Sequence, residues 1–388
     1  MSEYQYYEFL AVDRPLTVAE QAEVRELSTR ARITATSFTN EYHWGNFRGD
    51  PHLMMQRYYD AHLYLANWGT HQIMLRVPRT LLSPKIAEQY SVDGHVGVTA
   101  ASESVIVDLI SEDDSGEWVE GAEDSLSAIV GVRSELAAGD LRGLYLAWLS
   151  AYGGWERDEG ALGDEDEEAV EPPVPPGLGS LTAPQRALAD FLRVDPDLLA
   201  VAALASPQLP EVTDDRGALA AHIAALPDGQ KDRLLMLVAR DQAARARMEL
   251  LRGLRPDPDE GRDARPRRTV AGLLDAAAEL RRERHRQAEA EAAARQALRA
   301  RQREAARQRR LDELAKNPEA AWAEAARLIG TKMPARYDEA VTLLADLRDL
   351  ARRDGQAGEF EGRFAVLREE HARKPSLIAR FDRAGLTA

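Results

Sequence analysis

Thirty consecutive residues, 281–310, contain one large apolar side chain, Leu298, and neither glycine nor proline. The wider stretch 269–316 is dominated by Ala, Arg, Glu and Gln, among the strongest helix formers, with no glycine after Gly272. A long helix is expected there, yet a helix is held by a core only through an apolar face, and this one offers alanines. Heptad reading places Leu273 and Leu280 in register, followed by Gln287, Ala294 and Arg301, so a coiled-coil seam starts and then dissolves. Acid–base pairs such as Glu291 with Arg295 and Glu304 with Arg307 support helicity by only about 0.2–0.5 kcal/mol each. The leading expectation is a solvated, coiled-coil-like spacer. Docking of an acidic partner, or of the chain's own acidic segment, is a second reading. Phosphate contact through Arg281, Arg282, Arg299, Arg303 and Arg310 is a third.

The chain on either side of this helix is built from different materials. Of 24 Phe, Trp and Tyr residues, 18 precede residue 156, so the two halves need differently made cores. Residues 156–180 are acidic and then Pro- and Gly-rich, which suggests a linker with too little apolar surface to offset its ordering entropy. The expected divisions are an α+β domain over 1–155, the linker 156–180, a helical domain over 181–254, a second linker over 255–268, the long helix 269–316 and a helical bundle over 317–388. Charge follows its own pattern: net −15 overall, but 15 basic against 7 acidic side chains in 262–310. Whole-protein attraction to anionic membranes or nucleic acid is therefore disfavoured, whereas local attraction is open.

Within the first part, 4–12 alternates as a strand, with Tyr7, Phe9 and Ala11 on one face and Tyr6, Glu8 and Leu10 on the other. Thr17 and Glu20 form a capping box for a helix reaching about residue 30. Residues 33–44 read as a strand. Asp50 and Pro51 then open a helix with Met54, Tyr58, Ala61 and Leu65 on one stripe, ended by Gly69. Strand 72–77, a hairpin of 96–99 with 105–110, and one or two helices over 126–149 complete the series. This order predicts a mostly antiparallel sheet with helices on one face, followed by an all-α half.

The chemistry-bearing residues form no recognisable catalytic or cofactor motif. There is no cysteine, no bilayer-length apolar run and no basic–apolar leader, so a cytoplasmic location without disulfides is expected. His43, His52, His62 and His71 lie within thirty residues, near Glu41, Asp50 and Asp60, but without the spacing of a metal helix. No metal, cofactor or catalytic set is expected from them. Two Trp-Gly blocks stand out: 38–51, with Trp44, Phe47 and Arg48, and 64–70, with Trp68. Their tryptophans either cap the core or form an exposed patch for a protein partner, since Trp and Arg are enriched at binding hot spots.

The opening Glu3 to Phe9, Asp13 to Thr17, the two Trp-Gly blocks and Leu75-Arg76-Val77-Pro78 resemble a family of bacterial, largely actinobacterial proteins of no assigned activity. Genes of that family often lie beside those for SWIM-type zinc-finger proteins. The resemblance implies no catalytic residues and makes a zinc-finger protein a plausible partner. The functional expectation is a non-enzymatic interaction or scaffold protein whose helical half spaces or oligomerises. Alternatives are a nucleic-acid-associated protein using the Arg-rich helix, or an enzyme with its site among Glu41, His43, Asp50, Asp60 and His62.

Overall fold

The computed structural model describes residues 3–113, 121–153, 169–209, 216–240, 242–253 and 267–386. The chain forms two compact units, Met1–Glu283 and Arg284–Ala388. The first is built on a seven-stranded sheet of β1 (Gln5–Leu10), β2 (Arg32–Ile33), β3 (Ser37–Tyr42), β4 (Ala61–Ala66), β5 (His71–Pro78), β6 (Val96–Ala100) and β7 (Ser104–Ser111). Strand order is β2-β3-β1-β4-β5-β7-β6, and every neighbouring pair is antiparallel.

The alternation in β1 is realised. Tyr6 joins the core on one face of the sheet, whereas Tyr7, Phe9 and Ala11 join a separate core on the other. The larger core seats Leu63, Leu75 and Val107 against helices α4 (Ser125–Ile129), α5 (Gly131–Ala137) and α6 (Arg142–Gly153). The opposite core is smaller: α1 (Val18–Leu27) contributes Val24 and α2 (Pro51–Arg57) contributes Met54 and Met55, over Phe9, Phe38 and Met74. The Thr17–Glu20 capping box forms as expected, and Asp50 caps α2 by accepting from the backbone N–H groups of His52 and Leu53. A short helix α3 (Pro84–Ala87) precedes the β6–β7 hairpin.

One expected element is overturned. The helix after Pro51 ends at Arg57, and residues 61–66 are a central strand instead of its continuation. Ala61, Leu63 and Leu65 share a face by period two, and β4 pairs with β1 on one side and β5 on the other. Two ladders of backbone hydrogen bonds outweigh a helical stripe read from four positions. The strand expected over 33–44 also divides, because the Thr34 hydroxyl accepts from the Thr36 and Ser37 backbone N–H groups and turns the chain between β2 and β3.

The described part of the expected 156–180 linker, residues 169–180, packs into the first unit. Glu171 is buried, accepting from Arg268 at 2.6 and 2.8 Å and from the Tyr145 hydroxyl. Tyr90 donates to the Pro173 carbonyl at 2.9 Å, and Val170 bridges Thr269. Helices α7 (Ala183–Phe191) and α8 (Pro196–Ala205) then bury Leu188 and Leu198 in the same core as the sheet, so the helices after 181 continue that domain. Helices α9 (Arg216–Ala225), α10 (Asp228–Ala239) and α11 (Ala243–Arg252) follow. Most of the second expected linker lies outside the described residues.

Helix α12 (Val270–Lys316) is continuous. Val270, Leu273, Leu274 and Ala277 are buried in the first unit, and every residue from 281 to 310 is exposed. In the second unit, α13 (Pro318–Gly330), α14 (Pro334–Arg353), α15 (Ala357–Glu370) and α16 (Pro375–Arg383) enclose Ile329, Leu344, Phe364 and Phe381. The end of α12 is tied to α14 by Arg307–Asp349 at 2.8 Å, Arg310–Asp346 and Asp312–Arg353 at 2.6 Å. No described helix is long and apolar enough to cross a membrane.

Candidate interaction surface

The sheet register brings the two Trp-Gly blocks to one end. Gln5 pairs with Tyr42 of β3 on one side and Ala66 of β4 on the other. One residue further out, Tyr4, His43 and Asn67 lie side by side: the Tyr4 N–H donates to Asn67 Oδ1 at 3.0 Å, and the Tyr4 and His43 rings sit 5.3 Å apart. Beyond them the chain turns at Gly45 and Gly69, both with positive φ. A Cβ on Gly69 would meet the Asp113 carbonyl oxygen at 1.8 Å, so the second turn requires glycine. Trp44 is 69% exposed and Trp68 is 47% exposed. The strands that lead to them, β3 and β4, are separated by β1 alone, roughly two strand spacings or about 10 Å.

This end is rigidly supported. Gln5, itself buried, donates to the Gly45 carbonyl at 3.2 Å and Asn46 Oδ1 at 2.9 Å, and accepts from the hydroxyls of Tyr7 and Tyr64. Arg193 donates to the carbonyls of Gly69 and Ser111 at 2.5 and 2.8 Å. The Arg30 guanidinium lies 4.9 Å over the Trp44 ring and holds it without covering it. Phe47 behaves differently from the two tryptophans: it is half-buried, packed 5.3 Å from Tyr7 and 5.6 Å from Phe38. Gly49 sits against its ring so closely that a Cβ there would come within 2.5 Å. Arg48 is exposed beside it. Phe47 thus fastens the loop that presents Trp44 and Arg48.

The His and acid residues do not converge on one site. Asp50 caps α2, and Glu41 is exposed on β3. Asp60 accepts from the backbone of Val12 and Asp13 and from Arg76 at 2.8 Å, with Arg133 at 3.5 Å. Burial pushes its pKa up, but Arg133 and Arg76 outweigh that and hold it below the usual carboxylate range. The His71 Nδ1–H donates to the Phe191 carbonyl, 2.7 Å away, and burial lowers its pKa. His62 is fully buried, stacked 3.9 Å from Phe9, with Nδ1 2.8 Å from the Glu8 carbonyl. Burial lowers its pKa to about 4, and its Nε2 has no hydrogen-bond partner among the described residues.

One pairing was invisible in the sequence. His52 Nε2 lies 3.3 Å from Asp108 Oδ2, and that hydrogen bond raises the His52 pKa. Gln72 donates to the other Asp108 oxygen at 2.8 Å. Cross-strand register sets Phe9, His62, Met74 and Asp108 in one row on the same face. Nothing in the 55 residues between His52 and Asp108 signals this before the strand order is known. Among the described residues, no group of three or more His, Asp or Glu side chains could hold a metal ion.

The five arginines singled out on α12 differ in their surroundings. Arg281 pairs with Asp195 at 2.6 Å, Arg282 donates to the Ala278 carbonyl at 3.3 Å, and Arg310 pairs with Asp346. Arg299 and Arg303 are exposed and make no ion pair with any described residue. No family model, curated protein or solved structure matches the chain.

Proposed function

We propose that this chain is a non-enzymatic interaction protein of the cytoplasm, whose sheet end carrying Trp44, Arg48 and Trp68 docks a protein partner. The observation that carries the reading is two large aromatic side chains left exposed just beyond the ends of β3 and β4, the two strands that flank β1, on a hydrogen-bonded frame. Preorganised aromatics at the centre of a patch are what binding hot spots are made of. Two of the three acids that would have served an enzymatic site are otherwise engaged, Asp60 with two arginines and two backbone amides and Asp50 as a helix cap, while Glu41 is exposed. The helical half then serves as spacer or oligomerisation element.

The resemblance makes a SWIM-type zinc-finger protein the first partner to try. The test is affinity capture with the full chain, identification of the bound protein, and titration of that purified partner against wild type and the Trp44→Ala/Trp68→Ala variant. Each hot-spot truncation costs about 2 kcal/mol or more, so the double variant is expected to bind at least roughly 100-fold more weakly. A folded double variant with wild-type affinity overturns the proposal.

A further inference from the structure

The exposed part of α12 is not evenly charged around its axis. At 100° per residue, Arg295, Arg299, Arg303 and Arg310 fall within a sector of roughly 80°, while Arg301 points to the other side. Between 292 and 310 the remaining positions on that line, Ala292 and Ala306, are small and allow close approach. Glu304 lies away from the stripe, and Glu291 at its flank reaches Arg295 only at 3.4 Å, in a pair exposed on both sides. Arg299 and Arg303 have no partner among the described residues, whereas Arg310, where the helix meets α14, is paired with Asp346. Charge is divided between the units as well. Residues 284–388 hold 22 basic and 17 acidic side chains, against 28 and 48 in 1–283. The acidity of the whole chain therefore belongs to the first unit, and the second is basic.

We infer that the arginine stripe of α12 binds the phosphate backbone of double-stranded nucleic acid, without base specificity. Two features select this occupant over an acidic protein. A protein interface takes most of its energy from apolar or aromatic anchors in desolvated pockets, and this face has only alanine between its arginines. Phosphate binding needs no such anchor: it is driven by release of condensed counterions and uses repeated guanidinium groups. The shape also fits. A bare helix about 10–12 Å across matches the roughly 12 Å width of the DNA major groove, and every residue of this one from 288 to 306 is exposed. The inference is independent of the Trp-bearing surface.

The test uses the full chain with a fluorescent 30-base-pair DNA duplex, an RNA duplex of equal length, and polyglutamate, across a salt series. Wild type is expected to bind duplex at 50 mM salt and to release it steeply as salt rises. Arg295→Ala/Arg299→Ala/Arg303→Ala removes three phosphate contacts and should lower the log–log salt slope by roughly 2.7. That is about a 40-fold smaller loss of affinity between 50 and 200 mM salt, together with weaker binding at 50 mM. Arg299→Ala alone should lower the slope by about 0.9, whereas Arg301→Ala, an identical charge change on the opposite side, should leave it nearly unchanged. Alanine is the best helix former, so circular dichroism should show α12 intact in every variant. Absence of duplex binding at 50 mM salt overturns the inference. So does a triple variant that binds like wild type, or polyglutamate bound more tightly than either duplex.

Discussion

Arg133→Met removes a guanidinium that is 1% exposed and joins three elements of the first unit. Its Nε donates to the Arg76 carbonyl at 2.5 Å, and its two terminal nitrogens hold Asp13 at 2.9 and 2.6 Å. One of them also lies 3.5 Å from Asp60. The helix α5 is thereby fixed to β5, to the end of β1 and to the start of β4. Methionine fills much of the volume but strands the partners. Removing one member of a buried ion pair costs about 3–5 kcal/mol, chiefly because a desolvated charge is left uncompensated. The lower end applies here, since Asp60 keeps Arg76 at 2.8 Å and the Asp13 side chain is 17% exposed. The expected loss is therefore about 3 kcal/mol. Urea denaturation in a Trp322→Phe background would report on it through tryptophans of the first unit, such as buried Trp148. Adding Asp13→Leu should recover a large part of the loss, because replacing both members of such a pair by apolar groups is often nearly neutral. A loss below about 1 kcal/mol, the range of an exposed pair, would show that Arg133 does not hold these elements together.

Further outcomes follow from single groups. His62 has its folded pKa depressed to about 4 by burial, against about 6.5 unfolded, so the unfolded chain binds the proton first as pH falls. Its effect is to lower stability between pH 6.5 and 4 by roughly 3 kcal/mol, and His62→Met should flatten that part of the stability–pH curve. An unchanged curve would show that His62 is not held neutral. Gly69→Ala places a Cβ 1.8 Å from the Asp113 carbonyl at a φ of +102°, so it should destabilise by more than about 1 kcal/mol. The Trp68 turn should shift with it, visible as altered Trp fluorescence; a neutral substitution would contradict the turn geometry.

How much of this was legible beforehand depended on the range of each interaction. The Thr17–Glu20 capping box, the β1 alternation, the 96–110 hairpin and the long helix are set within a few residues of themselves, and each is present. Residues 61–65 carry apolar side chains that satisfy both a helical and a period-two pattern. Only pairing with β1 and β5 decides between them. The burial of Glu171 could not be read locally, because Tyr145 and Arg268 lie 26 and 97 positions away. The Trp-Gly blocks were visible as composition, but their meeting required β1 to insert between β3 and β4. Phe47 gave no sign that it would pack inward while Trp44 stayed out. That difference comes from Tyr7, Phe9 and Phe38 converging beneath the loop.

Whether the Trp-bearing sheet end is a docking surface is decided by titration of the captured, purified partner against wild type and Trp44→Ala/Trp68→Ala. Loss of at least roughly 100-fold in affinity, with the sheet unit's unfolding midpoint unchanged, is the expected result. Equal affinity of the two proteins for that partner would contradict it and leave both tryptophans as surface caps of the fold.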